Sequence, residues 1–231
     1  ETVILSEKSA VHFVFYLSHS PNDGILSPYG KPMRTIPLRL SAGDLILVST
    51  NEWSGYGVQL VTGSVWDHVA MVICLKDRPQ ALRLFEVSRD GVEVYALDHA
   101  LEFYYGGGCA LGIRRLKLNR TPQILEPLWE FIEEQKGKPY KQDYLQIVRS
   151  LFGANQVAEN SSFFCSELIA AAYQRMGLLK SGIPSNNYLP SHFANVISDH
   201  LAMGSLDDLI CFHPMAKEKV MGMGKRKGMV K

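Results

Sequence analysis

The spacing of apolar and polar residues predicts several strands in the first half of the chain. Residues 45–48 form a continuous apolar run, as expected for a strand that is buried on both faces. A strand-like segment at 68–75 is followed by turn residues and by two further strand-like segments, at 81–88 and 92–96. Because short turns join these segments, they predict an antiparallel meander.

Two later segments have the spacing of helices. Apolar residues recur at intervals of three and four within 125–132, after Pro122 and before Gly137. The second helix is expected at 165–176 and ends at Gly177, a residue type that commonly terminates helices. This second helix is the clearest element that the sequence predicts.

The N-terminal region and the C-terminal end have weaker patterns. An apolar run at 10–17 predicts a short strand, and the prolines and turn residues that follow predict an irregular arm within 1–39. A short helix is expected at 57–63. We therefore expect one domain at 1–216, including the arm, and a flexible tail at 217–231.

Composition and charge narrow the class of protein. Of the 231 residues, 46% are hydrophobic and 20% are charged, which excludes a disordered chain. No apolar run reaches half of the ~20 residues that a membrane-spanning helix needs, so a soluble protein is expected. The net charge of +1 provides no general attraction for nucleic acid.

The tail at 217–231 differs from the rest of the chain in its charge. It contains six basic residues and one acidic residue. A solvated, mobile end is the expected explanation, and weak contact with a membrane or an acidic partner is the alternative.

The chain has four cysteines, Cys74, Cys109, Cys165 and Cys211. No pair has the spacing of a zinc knuckle or a redox motif, so neither a metal site nor a cofactor is expected. A reducing, cytoplasmic compartment is the default for such a chain. The sequence also has no Gly-x-Ser-x-Gly and no His-Glu-x-x-His motif, which removes the serine hydrolase and metallopeptidase classes.

Cys165 differs from the other cysteines because it falls in the first turn of a predicted helix, for which Ser161 or Ser162 is the expected cap. Unpaired backbone N–H groups and the helix dipole favour a negative charge there, so a thiolate would be stabilised. The alternative is a small apolar residue packed at the start of a helix.

His68 and Glu86 are the residues that best fit a base and its partner. His68 begins the first strand of the meander, and Glu86 lies in the second strand among apolar neighbours. If the register places His68 opposite residue 86 or 88, the two side chains lie on one face, about 5–8 Å apart at Cβ. A buried carboxylate needs a partner, and orienting a histidine would provide one. The alternative is an edge-strand carboxylate that is exposed to water.

Several short motifs resemble one known family. In order they are GDLI at 43–46, WDHVAMV at 66–72, FE at 85–86, GKPY at 137–140 and FFCSELI at 163–169. This order resembles the circularly permuted branch of the NlpC-like, papain-fold amidases and peptidases, in which the histidine strand precedes the cysteine helix. Pro190 and Ser191 are similar to a further feature of that branch, and the resemblance covers roughly residues 43–195.

The resemblance implies a fold and a set of catalytic residues. The fold would be α+β and papain-like, with a small antiparallel sheet or partial barrel packed against the cysteine helix. Cys165 would be the nucleophile, His68 the general base and then acid, and Glu86 the residue that holds the imidazole. Two positions depart from the family pattern, Asp67 before the histidine and Phe164 before the cysteine.

The expected activity is cysteine-dependent hydrolysis of an amide, peptide or ester bond through an acyl thioester. Trp66 and Tyr140 are candidate substrate-binding residues. Aromatic residues clustered as Trp66 is are more often part of the core, and Tyr140 could either face the site or pack. One alternative is a lipid-directed acyltransferase or phospholipase, since the lecithin:retinol acyltransferase relatives transfer acyl groups, but their Asn-Cys-Glu-His type of motif is absent. The other is a non-catalytic module that binds a peptide or an acylated ligand.

Overall fold

The computed structural model describes residues 10–16, 33–50, 63–88, 90–139, 164–180 and 182–212. The strands are β1 (Ala10–Tyr16), β2 (Met33–Arg39), β3 (Leu45–Ser49), β4 (His68–Cys74), β5 (Leu82–Ser88), β6 (Gly91–Ala96), β7 (Ala110–Arg114), β8 (Leu116–Lys117), β9 (Ser205–Leu206) and β10 (Ile210–Phe212). The helices are α1 (Leu97–Gly106), α2 (Pro122–Gln135), α3 (Cys165–Arg175), α4 (Pro190–Ala194) and α5 (Ile197–His200), with a short 3₁₀ turn at Ser185–Asn187.

A six-stranded sheet in the order β10-β7-β3-β4-β5-β6 forms the centre of the fold. All five neighbouring pairs in it are antiparallel. The predicted meander is present as β4, β5 and β6, and the predicted buried strand is β3, whose first four residues are fully buried. The strand periodicity therefore predicted the elements at the middle of the sheet correctly.

The cysteine helix packs on this sheet. Helix α3 lies against β4 and β5, and α2 packs on α3. Both helices occur where the sequence predicted them, and α3 ends before Gly177, which has a φ of +71°. The antiparallel sheet and the helices that pack on it form the predicted α+β fold.

The N-terminal arm is more regular than expected. Its predicted strand is present as β1, but β2 covers part of the segment that was expected to be irregular. The two strands pair antiparallel, with Ala10 opposite Arg39 and Pro37 opposite His12. In a two-stranded sheet both strands are edges, and an edge strand tolerates a proline that lacks an N–H. The prolines were therefore a poor reason to predict irregular backbone.

Helix α1 was not predicted. Its buried residues, Leu97, Ala100 and Leu101, have helical spacing, and its last residue, Gly106, is followed by Gly107 and Gly108. Gly107 and Gly108 form a turn, and Gly108 has a φ of +89°. The chain leaves the outer strand β6, passes through α1 and enters β7 on the far side of β3. This connection brings α1 close to the start of β4.

Asp44 joins several segments next to the cysteine helix. Its Oδ1 accepts hydrogen bonds from the N–H of Leu116 at 2.8 Å and from Nη2 of Arg120 at 3.0 Å. Burial raises the pKa of this carboxyl to about 6, since the loss of water outweighs the hydrogen bonds and the positive charge of Arg120. Tyr173 of α3 donates to the carbonyl of Gly43 at 2.6 Å, which fixes the cysteine helix to the same turn.

Some of the expected elements lie outside the described residues. They are the predicted helix at 57–63, except for Gly63, and the basic tail at 217–231. In the part of the chain that is described, no helix is both long enough and apolar enough to cross a membrane.

Candidate active site

Cys165 is the first residue of α3 and is 9% exposed. Its Sγ lies 3.9 Å from the backbone carbonyl of Asp67, the residue before β4. The first backbone N–H groups of a helix have no partner within the helix, and the positive end of the helix dipole is at the same place. The position therefore favours negative charge on the sulfur. It also favours the negative charge of an oxyanion that forms beside the sulfur.

The start of α3 differs from the expectation in one detail. The cap was expected at Ser161 or Ser162, but the N-cap is Phe164, whose backbone is extended. A phenylalanine side chain cannot accept a hydrogen bond, and Glu167 instead accepts one from the N–H of Phe164 at 3.4 Å. The helix therefore begins later than a serine cap would allow, and Cys165 occupies its first position.

His68 begins β4 and lies between Cys165 and Glu86. Its Nε2 is 2.6 Å from Oε2 of Glu86, and the Cys165 thiol is the other group that acts on the imidazole. Burial alone would lower the pKa of His68. The charge on Cys165, the hydrogen bond to it and the contact with Glu86 outweigh burial and raise the pKa of His68 well above its ordinary value. The arrangement therefore favours the protonated, positively charged form of His68.

The side chain of Glu86 reaches His68 diagonally, from β5 to the adjacent strand β4. Met71 pairs with Phe85 and Val72 with Leu84, so continuing this register places Glu86 beside residue 70. This is one of the two registers that the sequence predicted to bring the two side chains together. Glu86 is only 3% exposed, and the same Oε2 also accepts a hydrogen bond from the hydroxyl of Tyr104 at 2.8 Å.

Tyr104 is a site residue that the sequence reasoning missed. It lies in α1, and its ring centroid is 5.9 Å from that of His68. Burial and the neighbouring charge of Glu86 raise the pKa of Tyr104, so the phenol stays protonated and acts as a donor. Its position continues the helical spacing of Leu97, Ala100 and Leu101, which was the signal available in the sequence.

Asp67, a departure from the family pattern, has a structural role. Its carboxylate accepts hydrogen bonds from the backbone N–H of Thr50, at 2.9 and 3.1 Å, and from the Thr50 hydroxyl at 3.0 Å. These bonds tie the end of β3 to the residue before His68. A charged residue is thus accommodated at this position, and its backbone carbonyl lies against the thiol.

The two candidate substrate-binding residues have different outcomes. Trp66 is buried, and a Cβ built on Gly112 would lie 2.9 Å from its ring, so the indole packs closely against β7. Contact between Trp66 and a substrate stays a prediction. Tyr140 lies outside the described residues. Among the described residues, no group of three or more His, Cys, Asp or Glu side chains is arranged to hold a metal ion.

Comparison with known proteins identifies a family for this chain. Residues 39–187 match the family model described as permuted papain-like amidase enzyme, YaeF/YiiX, C92 family. A solved structure titled metalloprotein yiiX from Escherichia coli O157:H7 is similar at 21% identity and a TM-score of 0.45, over 59% of this chain and 66% of that one. The chain thus spans just under two thirds of that protein. No curated protein matches the sequence.

The family match confirms the resemblance that the sequence motifs indicated. It also supports the papain-like α+β fold and a cysteine-dependent amidase or peptidase class of enzyme. Because the family model covers more than half of the residues, the chain belongs to the permuted papain-like amidases of the YaeF/YiiX, C92 family.

Proposed function

We propose that this cysteine hydrolase cleaves an amide, peptide or ester bond through an acyl thioester on Cys165, with His68 and Glu86 completing a catalytic triad. The observation that carries the proposal is the position of His68, whose Nε2 is 2.6 Å from Oε2 of Glu86 and whose imidazole also interacts with the Cys165 thiol. A nucleophile, a base and a carboxylate that orients the base, placed next to one another in that order, form the arrangement that activates a thiol.

The first half of the reaction forms the thioester. The Cys165 thiolate adds to the acyl carbon, and the electron pair of the carbonyl moves to its oxygen. That oxyanion is stabilised by backbone N–H groups at the start of α3, including that of Cys165. When the tetrahedral intermediate collapses, the bond to the leaving group breaks and the His68 imidazolium supplies its proton.

The second half of the reaction releases the acid. His68, now neutral, removes a proton from a water molecule, whose oxygen attacks the thioester carbon. Collapse of this second intermediate breaks the carbon–sulfur bond and restores the thiolate and the imidazolium. Glu86 stabilises the imidazolium in both halves, since it is buried and bonded directly to Nε2.

The proposal is tested with p-nitrophenyl acetate as a chromogenic acyl donor. We expect a burst of p-nitrophenolate equal to the enzyme concentration, followed by slower turnover, and an acetyl group on Cys165 in the peptide map. Cys165→Ala abolishes the burst, whereas Cys211→Ala, which removes an exposed thiol, leaves it unchanged. A burst that persists in Cys165→Ala, or a label on another residue, would overturn the proposal.

The same assay tests acyl transfer. If the acyl group is transferred, added amines or alcohols should accelerate turnover and yield an acylated acceptor. If the enzyme is a hydrolase, the product should be free acetate and the rate should not change when an acceptor is added. The hydrolase is favoured because the Asn-Cys-Glu-His type of motif of the acyltransferase relatives is replaced here by the sequence around Phe164 and Cys165.

A further inference from the structure

We propose that Tyr104 is a positioning residue of this reaction: its hydroxyl holds the Glu86 carboxylate in the orientation that fixes His68. The inference rests on the proposed triad. It assigns a task to a residue from helix α1, a segment that supplies neither the nucleophile nor the base. Tyr104 acts through Glu86 and does not contact the reacting atoms.

The geometry places two donors on a single carboxylate oxygen. Oε2 of Glu86 accepts from Nε2 of His68 at 2.6 Å and from the hydroxyl of Tyr104 at 2.8 Å, while the hydroxyl is 3.4 Å from that nitrogen. A single hydrogen bond from a histidine leaves a carboxylate free to rotate about its terminal torsion. A second donor on the same oxygen limits that rotation and therefore limits the tilt of the imidazole.

The hydroxyl of Tyr104 is not needed to attach α1 to the fold. Leu97, Ala100 and Leu101 already bury the inner face of the helix. The neighbouring Phe103 is 77% exposed, so its ring contributes little to that packing. A buried phenol costs free energy unless its hydroxyl is bonded, and Glu86 provides that bond. The polar contact thus serves the carboxylate more than it serves the helix.

Hydrolysis of the thioester is the step that depends most on this support. With p-nitrophenyl acetate the leaving group departs as a stable anion, so the first half of the reaction needs no proton from His68. The second half requires a neutral imidazole that is correctly oriented to deprotonate water and then stabilised as a cation. Loss of the Tyr104 hydroxyl should therefore slow deacylation more than acylation.

The test compares Tyr104→Phe with Tyr188→Phe. Both variants remove one phenol oxygen. The ring of Tyr188 packs against His192, Phe193 and His200, and its hydroxyl has no hydrogen-bond partner among the described residues. We expect Tyr104→Phe to keep the full burst and to deacylate about tenfold more slowly, as for the loss of other outer partners of a functional histidine. Tyr188→Phe should match the wild type in both phases.

Two results would overturn the inference. Deacylation of Tyr104→Phe within twofold of the wild type would mean that the hydroxyl does not position Glu86. An equal loss of burst rate and deacylation, together with a lower melting temperature, would mean that Tyr104 has a structural role only. Failure of the triad itself is recognised separately, since the wild-type enzyme would then show no burst or Cys165→Ala would retain it.

Discussion

Glu86 and His68 lie on neighbouring strands, two residues out of direct opposition, yet their side chains meet at 2.6 Å. The diagonal arrangement leaves the other edge of the imidazole for Cys165, which approaches from a helix rather than from the sheet. The contact also gives the buried Glu86 carboxylate a partner, because burying an unpaired carboxylate costs free energy. This pair therefore links the stability of the sheet to the chemistry of the thiol.

Glu86→Gln should shift the pH dependence of activity. The raised pKa of His68 means that the imidazolium persists above its ordinary range and is lost as the pH rises through the value in the folded protein. Without the carboxylate charge that pKa falls, so the alkaline limb of activity moves to lower pH. We also expect at least about a tenfold loss of activity at neutral pH, because the imidazole is held less firmly.

Glu102→Gln, on the exposed face of α1, is the matched control for the measurement of kcat/KM against pH. It should reproduce the wild-type profile. An alkaline limb that stays in place in Glu86→Gln would show that Glu86 does not contribute to the charge state of His68.

Arg120→Leu should destabilise the protein in a pH-dependent way. It removes the cation beside the buried Asp44 and three hydrogen bonds to backbone carbonyls, those of Ala42, Leu116 and Leu118. Breaking a buried pair costs about 3–5 kcal/mol. Burial raises the pKa of the Asp44 carboxyl to about 6, and loss of Arg120 raises it further, so the carboxyl is protonated at pH 5.

The free energy of unfolding, measured with urea at pH 8 and pH 5, checks this prediction. The loss should be larger at pH 8, where Asp44 is ionised and unpaired. Arg78→Leu, which removes a fully solvated ion pair with Asp77, should cost under about 1 kcal/mol at both pH values. An equal loss at both pH values in Arg120→Leu would contradict the electrostatic explanation.

Tyr173→Phe and Tyr188→Phe should have different effects on stability. The hydroxyl of Tyr173 donates to Gly43 at 2.6 Å, and its removal should cost about 1–2 kcal/mol in unfolding free energy. The hydroxyl of Tyr188 has no partner among the described residues, so its removal should be neutral or stabilising by up to about 1 kcal/mol. Urea unfolding of the two variants measures the difference, and equal losses would contradict it.

Gly112→Ala should disturb the position of Trp66. A Cβ at this position would lie 2.9 Å from the indole and 3.0 Å from Leu209, so the ring has to move, at a cost of about 1–3 kcal/mol. The same change at Gly106 meets no atom within 4 Å and should be neutral. Thermal unfolding measures the loss of stability, and tryptophan fluorescence reports the movement of the indole. An unshifted melting temperature in Gly112→Ala would show that the strand and ring yield more easily than close packing implies.

The sequence predicted the pairing of β4 with β5 better than it predicted the segments around these strands. The register of β4 and β5 could be anticipated because alternating residues of a strand share a face. Few registers therefore place Glu86 on the same face as His68. The N-cap of α3 could not be anticipated, because a phenylalanine at that position is not a recognised capping residue. Tyr104 was missed because its helix is short and its contact with Glu86 is made only after α1 crosses the sheet.

Asp67 illustrates a different limit of the sequence. The sequence shows this charge only as a departure from the family pattern, whereas in the structure its carboxylate accepts hydrogen bonds from Thr50 at the end of β3. The partner lies 17 residues earlier in the chain. A contact of that kind depends on the sheet being formed and has no local signature.

The measurement that tests the central claim most directly is the rate at which iodoacetamide labels each cysteine between pH 5 and 9. Cys165 should be labelled fastest at pH 6, ahead of Cys211. Although Cys211 is exposed, its thiol is partly desolvated by neighbouring groups, which raises its pKa. His68→Ala should slow labelling of Cys165 at least about tenfold at that pH and leave Cys211 unaffected, and His99→Ala, at an exposed position, should change neither. If Cys165 reacts no faster than Cys211, or reacts equally with and without His68, the two residues are not an activated pair and the account is contradicted.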